Sequence, residues 1–305
     1  MEHEEIDSLL RLPLIELIAA ANSVRREHAG PGLELCNIMN AKSGSCSQDC
    51  KFCAQSAHHA TGVSTYPLKK KDEMLEAARR AKEAGAHRFD IVTSGNTLTK
   101  DEIKVIADAV SDITRNIGIK MCASLGKIQE ADLLLLKDSG LTRYHHNIET
   151  SRNFFHKIVS SHTFEDRLTT IRAAKATGLE VCSGGIIGLG ETMADRIDMA
   201  LCLRELGVDS VPINILVPIK GTLMEGQAAL SCEEAVRTIA IFRIILKDKI
   251  IKIAAGRESV LKDFQALAFM AGANGMLIGG YLTIKGRMPE EDLKLVSEVK
   301  KLWQN

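Results

Sequence analysis

Thr163-Phe-Glu-Asp-Arg-Leu-Thr-Thr-Ile-Arg-Ala-Ala-Lys-Ala-Thr-Gly-Leu-Glu-Val-Cys182 reads as a helix, a glycine stop and the opening of a strand. The helix over 163–177 closes at Gly178, where a residue without a Cβ ends it with least strain, and a strand over Leu179–Leu189 follows. The same unit recurs on both sides. Upstream, strands over Leu33–Asn40, His87–Ser94, Ile119–Leu125 and Leu141–Glu149 alternate with helices over 68–84, 99–115 and 128–139. Downstream, helices over 192–206, 231–247 and 258–271 alternate with strands over Ser210–Val217, Ile250–Ala255 and Gly275–Gly279. Gly85, Gly140 and Gly207 punctuate the series as Gly178 does. Eight strands, each followed by a helix, predict an α/β fold closed as a (β/α)8 TIM-type barrel. An open doubly wound sheet is the competing arrangement. An amphipathic helix over 6–28, with Leu9, Leu10, Leu14, Leu17 and Ile18 on one side, precedes the series and stops at Ala29-Gly-Pro-Gly32. A last helix covers about 289–303. No linker, low-complexity tract or charge block divides the sequence, so residues 1–305 are expected to form a single barrel domain carrying these two terminal helices.

Composition narrows the function. The 305 residues are 45% hydrophobic and 26% charged, enough apolar material for a large core. Formal net charge is zero and aromatic residues make up only 4%, so neither a basic field nor a supply of stacking rings favours nucleic-acid binding. The longest apolar runs, such as Ile239–Leu246, are interrupted by Arg243 and too short to span a bilayer. Met1-Glu-His-Glu-Glu5 is acidic, unlike a secretory signal. Three of the eight cysteines lie within eight residues, which fits a reducing cytoplasm better than a disulfide framework.

Those three stand in Cys46-Ser-Gln-Asp-Cys50-Lys-Phe-Cys53-Ala-Gln-Ser56, spaced C-x3-C-x2-C just after the first strand. Thiolates are soft ligands suited to iron–sulfur clusters, zinc or copper(I). A structural zinc or a closed 4Fe–4S cube takes four protein ligands. Three thiolates on a cube leave one iron open to a small molecule. The alternative is a zinc site completed by His58 or His59.

In a barrel, chemistry gathers where strands run out into loops, and unusual residues cluster there. Asp90-Ile-Val-Thr-Ser94-Gly95-Asn96 ends the second strand with small residues that let backbone approach a ligand, or form a tight turn and nothing more. Cys122 and Cys182 sit on the third and fifth strands, where a lone cysteine is ordinarily a small buried hydrophobe. Gly184, Gly185, Gly188 and Gly190 leave room for a flat ring such as adenine. On the fourth strand His145, Asn147 and Glu149 share a face by alternation, and an inward Glu needs donors such as ribose hydroxyls; a polar strand end open to water is the other reading. Asn214, polar inside an apolar strand, could read an amide-like ligand in both directions. Arg257 at the seventh strand end is an anion or ion-pair residue by default. Cys202 and Cys232 fall in helices and read as structural.

The cysteine loop resembles that of the radical S-adenosylmethionine (radical SAM) enzymes, with Phe52 at their usual aromatic position. With Tyr144–Ser151, Cys182–Glu191, Pro212–Val217, Lys220-Gly-Thr222, Ala255-Gly-Arg-Glu258 and Ala271-Gly-Ala-Asn274, the chain is similar to the biotin synthase family over about residues 30–290. That resemblance implies a sulfur-inserting enzyme converting dethiobiotin to biotin. Cys46, Cys50 and Cys53 would hold a 4Fe–4S cube, with Phe52 beside it. Ser94 and Gly95 would meet the SAM amino group, Asn147 and Glu149 its ribose, Arg167 its carboxylate, and Gly188 and Val217 its adenine. Asn147, Asn214 and His145 would face the ureido ring of dethiobiotin, and Thr283 its carboxylate. Reductive SAM cleavage would give a 5′-deoxyadenosyl radical that takes hydrogen from dethiobiotin, and a second, sacrificial cluster would supply sulfur. An electron donor such as flavodoxin or ferredoxin and a homodimer are implied as well. The runner-up is a related radical SAM enzyme acting on another small molecule without sulfur insertion.

The sequence departs from that family at the second cluster, ordinarily a 2Fe–2S held by cysteines on strands two, three and five plus an arginine. Cys122, Cys182 and Arg257 match, but Asp90 occupies the strand-two position, and its hard oxygens are a poor substitute for a thiolate. Cys36 lies on strand one. Since alternate strands supply each interior layer of a barrel, Cys36, Cys122, Cys182 and Arg257 are expected to surround the auxiliary cluster, its nuclearity open, with Asp90 pairing Arg257. Cys36 as inert core is the alternative.

Overall fold

The computed structural model of the chain describes residues 3–283 and 286–304. Its centre is a ring of parallel strands: β1 (Glu34–Lys42), β2 (Arg88–Thr93), β3 (Lys120–Ser124), β4 (Leu141–His145), β5 (Glu180–Cys182), β6 (Gly185–Ile187), β7 (Ser210–Ile215), β8 (Ile250–Ile253) and β9 (Gly275–Leu277). Neighbours pair in sequence order from β1 to β5, β1 also pairs with β9, and β7 takes both β5 and β6, through Cys182 with Ser210 and Ile187 with Ile215. Since β5 and β6 are halves of one barrel strand, the ring is a closed eight-stranded (β/α)8 barrel, as the alternation predicts.

The helices follow from local signals. Thr99 with Glu102, Thr163 with Asp166 and Thr192 with Asp195 form reciprocal capping boxes opening the helices Lys100–Asn116, Phe164–Ala176 and Met193–Glu205. Ile103, Ile106, Val110 and Ile113, at helical spacing, bury one face of the first of these. The outer helix Cys232–Leu246 is buried along most of its length because the helix Leu14–His28 lies on it.

Five expectations are corrected. The first helix is two, His3–Leu10 and Leu14–His28, because Pro13 lacks the N–H that would continue a turn. The fourth strand ends at His145, four residues short, and Glu149 turns out of line at φ 68°. The fifth strand breaks at Ser183–Gly184. There the Gly184 carbonyl accepts from the N–H groups of Ile148 (3.0 Å) and Glu149 (3.2 Å), which docks the residues after β4 into the gap. A Cβ on Gly184 would lie 2.0 Å from the Pro212 carbonyl oxygen, and one on Gly185 2.3 Å from that of Glu149, so these glycines admit neighbouring backbone and not a ligand ring. The helix expected over 258–271 is divided into Arg257–Val260, a 3-10 turn Lys262–Phe264 and Gln265–Met270. The final helix runs Pro289–Gln304, with the Arg25 guanidinium 3.9 Å from the ring of Trp303. Among the described residues no helix is long and apolar enough to cross a membrane.

Candidate functional site

A cavity of about 580 Å³ opens where the strands run out into loops, within the range of small-molecule sites. The thiols of Cys46, Cys50 and Cys53 line it from the loop after β1, and those of Cys36, Cys122 and Cys182 line it from β1, β3 and β5. Six of the eight cysteines therefore face one space.

The loop is held by its own backbone and by the segment after the short helix Arg152–Phe155. Cys46 N–H donates to Gln55 O (3.0 Å), Ala57 N–H to Cys46 O (2.8 Å) and Lys51 N–H to Ile158 O (2.9 Å). The Asp49 carboxylate accepts from the N–H groups of Ser160 (3.0 Å) and Ser161 (2.9 Å). Each histidine that could complete a zinc site has one ring nitrogen on a loop carbonyl, His58 Nε2 with Ser47 O (3.1 Å) and His59 Nδ1 with Cys53 O (2.9 Å), while His59 Nε2 is buried without a partner. Among the described residues no three His, Cys, Asp or Glu side chains converge as they would on a single ion. A cube spreads its thiolates over separate irons, so three soft donors on one loop fit it without such convergence. Burial pushes Cys50 up to about 12 and Cys53 up to about 11, so loading metal there expels protons.

Between the two thiol sets runs a chain of polar side chains. Asp90 Oδ2 lies 3.1 Å from His145 Nδ1, and His145 Nε2 lies 3.0 Å from Asn147 Oδ1. Asn147 Nδ2 donates to Glu149 Oε2 (3.4 Å), and Arg167 Nη1 reaches Glu149 Oε1 at 3.4 Å and the Asn147 carbonyl at 3.0 Å. His145 titrates at about 9: burial opposes its charge, but a Cys182 thiolate, Asp90 and Asn147 together favour it. Although the strand ends early, His145, Asn147 and Glu149 are thus brought together, through the docking at Gly184. Phe52, Ser94, Gly95 and Val217 also line the cavity, as do Asn214 and Thr283. Asn214 donates to Gly185 O (3.2 Å) and accepts from Ala255 N–H (3.2 Å), which leaves its amide one donor and one acceptor free.

Two expected site residues are elsewhere. Gly188 faces Leu230 and Leu216, not the cavity, and its N–H donates to Glu191 Oε1 (2.8 Å). Arg257 lies past the end of β8, after the left-handed Gly256, and is fully buried away from the thiols. Its guanidinium is held by Asp292 (2.7 Å), the Leu277 carbonyl (3.3 Å) and Gln265. Asp90 accordingly pairs with His145 and not with Arg257. In place of Arg257, Lys252 on β8 is the cation beside the thiols. Its Nζ donates to Cys36 Sγ at 3.0 Å and lies 4.0 Å from Cys182 Sγ.

Lys252 also belongs to a buried network on the barrel axis. Glu34 Oε1 takes Arg143 (2.6 Å) and Lys252 (3.1 Å), and Glu34 Oε2 takes Arg88 (2.8 Å). Glu180 Oε2 takes both Arg88 (2.7 Å) and Arg143 (2.8 Å). Burial lifts Cys36 to about 11 and Cys122 higher still. At Cys182 burial also acts upward, but Lys252, His145 and Arg143 outweigh it and hold the thiol below its ordinary value. Three soft thiols flanked by fixed cations suit an anionic iron–sulfur group. Arg143 and Lys252 were missed in the sequence; their signal was a cation in the middle of a barrel strand, Leu141-Thr-Arg-Tyr144 and, in an otherwise apolar one, Ile250-Ile-Lys-Ile253.

Residues 42–203 match the radical SAM superfamily, and residues 212–300 match the biotin and thiamin synthesis associated domain. A biotin synthase of Thermotoga petrophila is 51% identical over 301 residues, covering 98% of this chain and 99% of that one. A biotin synthase of Thermotoga neapolitana is 55% identical over 271 residues, 88% of this chain and 97% of the relative. Among solved structures, methylornithine synthase superposes with a TM-score of 0.83 at 21% identity, over 97% of this chain and 91% of that one, a likeness of fold.

Proposed function

The chain belongs to the biotin synthase family of radical SAM enzymes, and from that premise we propose how its residues divide sulfur insertion into dethiobiotin between two sites in one cavity. Membership implies a 4Fe–4S cluster, SAM and dethiobiotin. When bound, the first cluster supplies the reductive cleavage of SAM that starts hydrogen abstraction, and the second supplies the sulfur.

In this reading Cys46, Cys50 and Cys53 would hold the first cluster, and SAM would bind beside it. Phe52 flanks the last of these thiolates. Arg167, already fixed by the Asn147 carbonyl and Glu149, offers its remaining donors to the SAM carboxylate. Glu149 accepts from ribose hydroxyls, Ser94 and Gly95 bring backbone against the amino group, and Val217 packs on adenine. Asn147 and Asn214 address the ureido ring, His145 stands behind Asn147 with both ring nitrogens already engaged, and Thr283 addresses the substrate carboxylate. The apolar walls Ile38, Val92 and Leu277 keep water from the reacting carbon.

Cys36, Cys122 and Cys182 hold the sulfur-donating cluster, with Lys252 and Arg143 as its cationic flank in the place first expected of Arg257. The observation that carries this reading is that six thiols from two separate sources line a single cavity. The proposal also includes an electron donor of the flavodoxin or ferredoxin kind, a homodimer and a cytoplasmic setting. Cys36→Ala tests it: after anaerobic reconstitution, iron and sulfide per chain should fall by the second cluster's share while SAM cleavage persists and biotin formation is lost. Unchanged stoichiometry and spin-resonance spectrum would remove Cys36 from the site.

A further inference from the structure

The Asn147 amide has its oxygen fully engaged. Gly184 N–H, a backbone donor that cannot be exchanged for an acceptor, lies 3.1 Å from Oδ1 and fixes which end of the amide is oxygen. His145 Nε2, 3.0 Å from the same atom, can only donate there. Its other nitrogen faces Asp90 Oδ2 at 3.1 Å, so the ring is braced on both sides by oxygen. With both lone pairs of Oδ1 occupied and one N–H directed at Glu149, Asn147 has a single unused function toward the cavity, an N–H donor.

We propose that His145, braced by Asp90, is a positioning residue that locks Asn147 as a one-way donor and so makes this side of the site specific for a ligand oxygen, the ureido carbonyl. The inference rests on the dethiobiotin reading above and adds to it two residues that need not touch the reacting atoms. Without the His145 donor, one lone pair of Asn147 Oδ1 is released toward the cavity. The site then tolerates a ligand that presents N–H where dethiobiotin presents oxygen.

The test compares dethiobiotin with its cyclic guanidine analogue, in which the ureido C=O is replaced by C=NH, by equilibrium dialysis against the reconstituted, SAM-loaded enzyme. Wild type should prefer dethiobiotin by about tenfold to a hundredfold, as expected for a misdirected buried hydrogen bond. His145→Leu should bring that preference to within about threefold. Its KM for dethiobiotin should rise while kcat changes little, with iron and sulfide per chain unchanged. Asp90→Asn, which keeps shape but lets the ring turn its bare nitrogen toward Asn147, should lie between wild type and His145→Leu. Equal weakening of both ligands in both variants would reduce His145 and Asp90 to packing. Loss of iron or sulfide in Asp90→Asn would assign Asp90 to the cluster, and either result overturns the proposal. Failure of wild type to bind dethiobiotin at all would remove the substrate reading beneath it.

Discussion

At the scale of single residues, the cavity sets one thiol apart. Cys36, Cys50, Cys53 and Cys122 are pushed up by burial, yet Cys182 is held below its ordinary 9.0 because the cations around it outweigh the same burial. Thiolate is the form that binds iron, so the cations that hold Cys182 down would favour the proposed ligation. Lys252→Met should therefore raise the Cys182 thiol, because the strongest of its opposing cations is gone. In the metal-free protein, thiolate absorbance attributable to Cys182, defined by a Cys182→Ser control, should move to higher pH. No movement would show that Arg143 and His145 suffice. The six cavity cysteines were legible in the sequence because thiol spacing and strand position are local facts. Lys252 was not, because its value lies in meeting Cys36 across 216 positions of sequence, and Arg257 was misplaced because a cation at a strand end does not reveal which side of the barrel it faces.

Among elements, the barrel's interior is where charge must close. Glu34 on β1 is the hub for Arg88 of β2, Arg143 of β4 and Lys252 of β8, so one side chain ties together four strands. Glu34→Gln would leave Arg88 and Arg143 with only the half-exposed Glu180 and Lys252 with no carboxylate, and should cost about 3–5 kcal/mol, as breaking a buried ion pair does. Burial raises the Glu34 carboxyl, but Lys252, Arg143 and Arg88 outweigh that and hold it well below its ordinary 4.5. Its contribution is therefore complete above that ordinary value and is lost as pH falls through the lower folded one. Urea unfolding of the variant against wild type should show the full difference at neutral pH and a shrinking one in acid; a difference independent of pH would mean that packing, not charge, is what the substitution removes. The strand–helix alternation and its glycine stops were readable because both are periodic and local. The break between β5 and β6 was not, since it exists to admit the Ile148 and Glu149 N–H groups, a demand made by a neighbouring strand.

Across the whole molecule, the two matched families meet between residues 203 and 212, that is, between β6 and its hydrogen-bonded neighbour β7. The seam therefore lies inside a closed ring, and separating the two parts would break the ring both there and at the β9–β1 pairing, exposing four unpaired parallel edges. We propose that residues 1–305 fold as one cooperative unit, and calorimetry of the metal-free protein should give a single transition; two resolved transitions would contradict it. The final helix is part of that unit because Asp292 meets Arg257, both side chains fully buried. Arg257→Met removes the cation and strands Asp292, whose carboxyl burial already pushes up, so a destabilisation of about 3–5 kcal/mol is expected. Iron and sulfide per folded chain should be unchanged, since the guanidinium is turned toward the Pro289–Gln304 helix and away from Cys36, Cys122 and Cys182. Loss of the second cluster at undiminished stability would return Arg257 to the sulfur site. Lower stability with full clusters would instead mark it as the clamp joining the last helix to the barrel, with Lys252 left as the cation at the thiols.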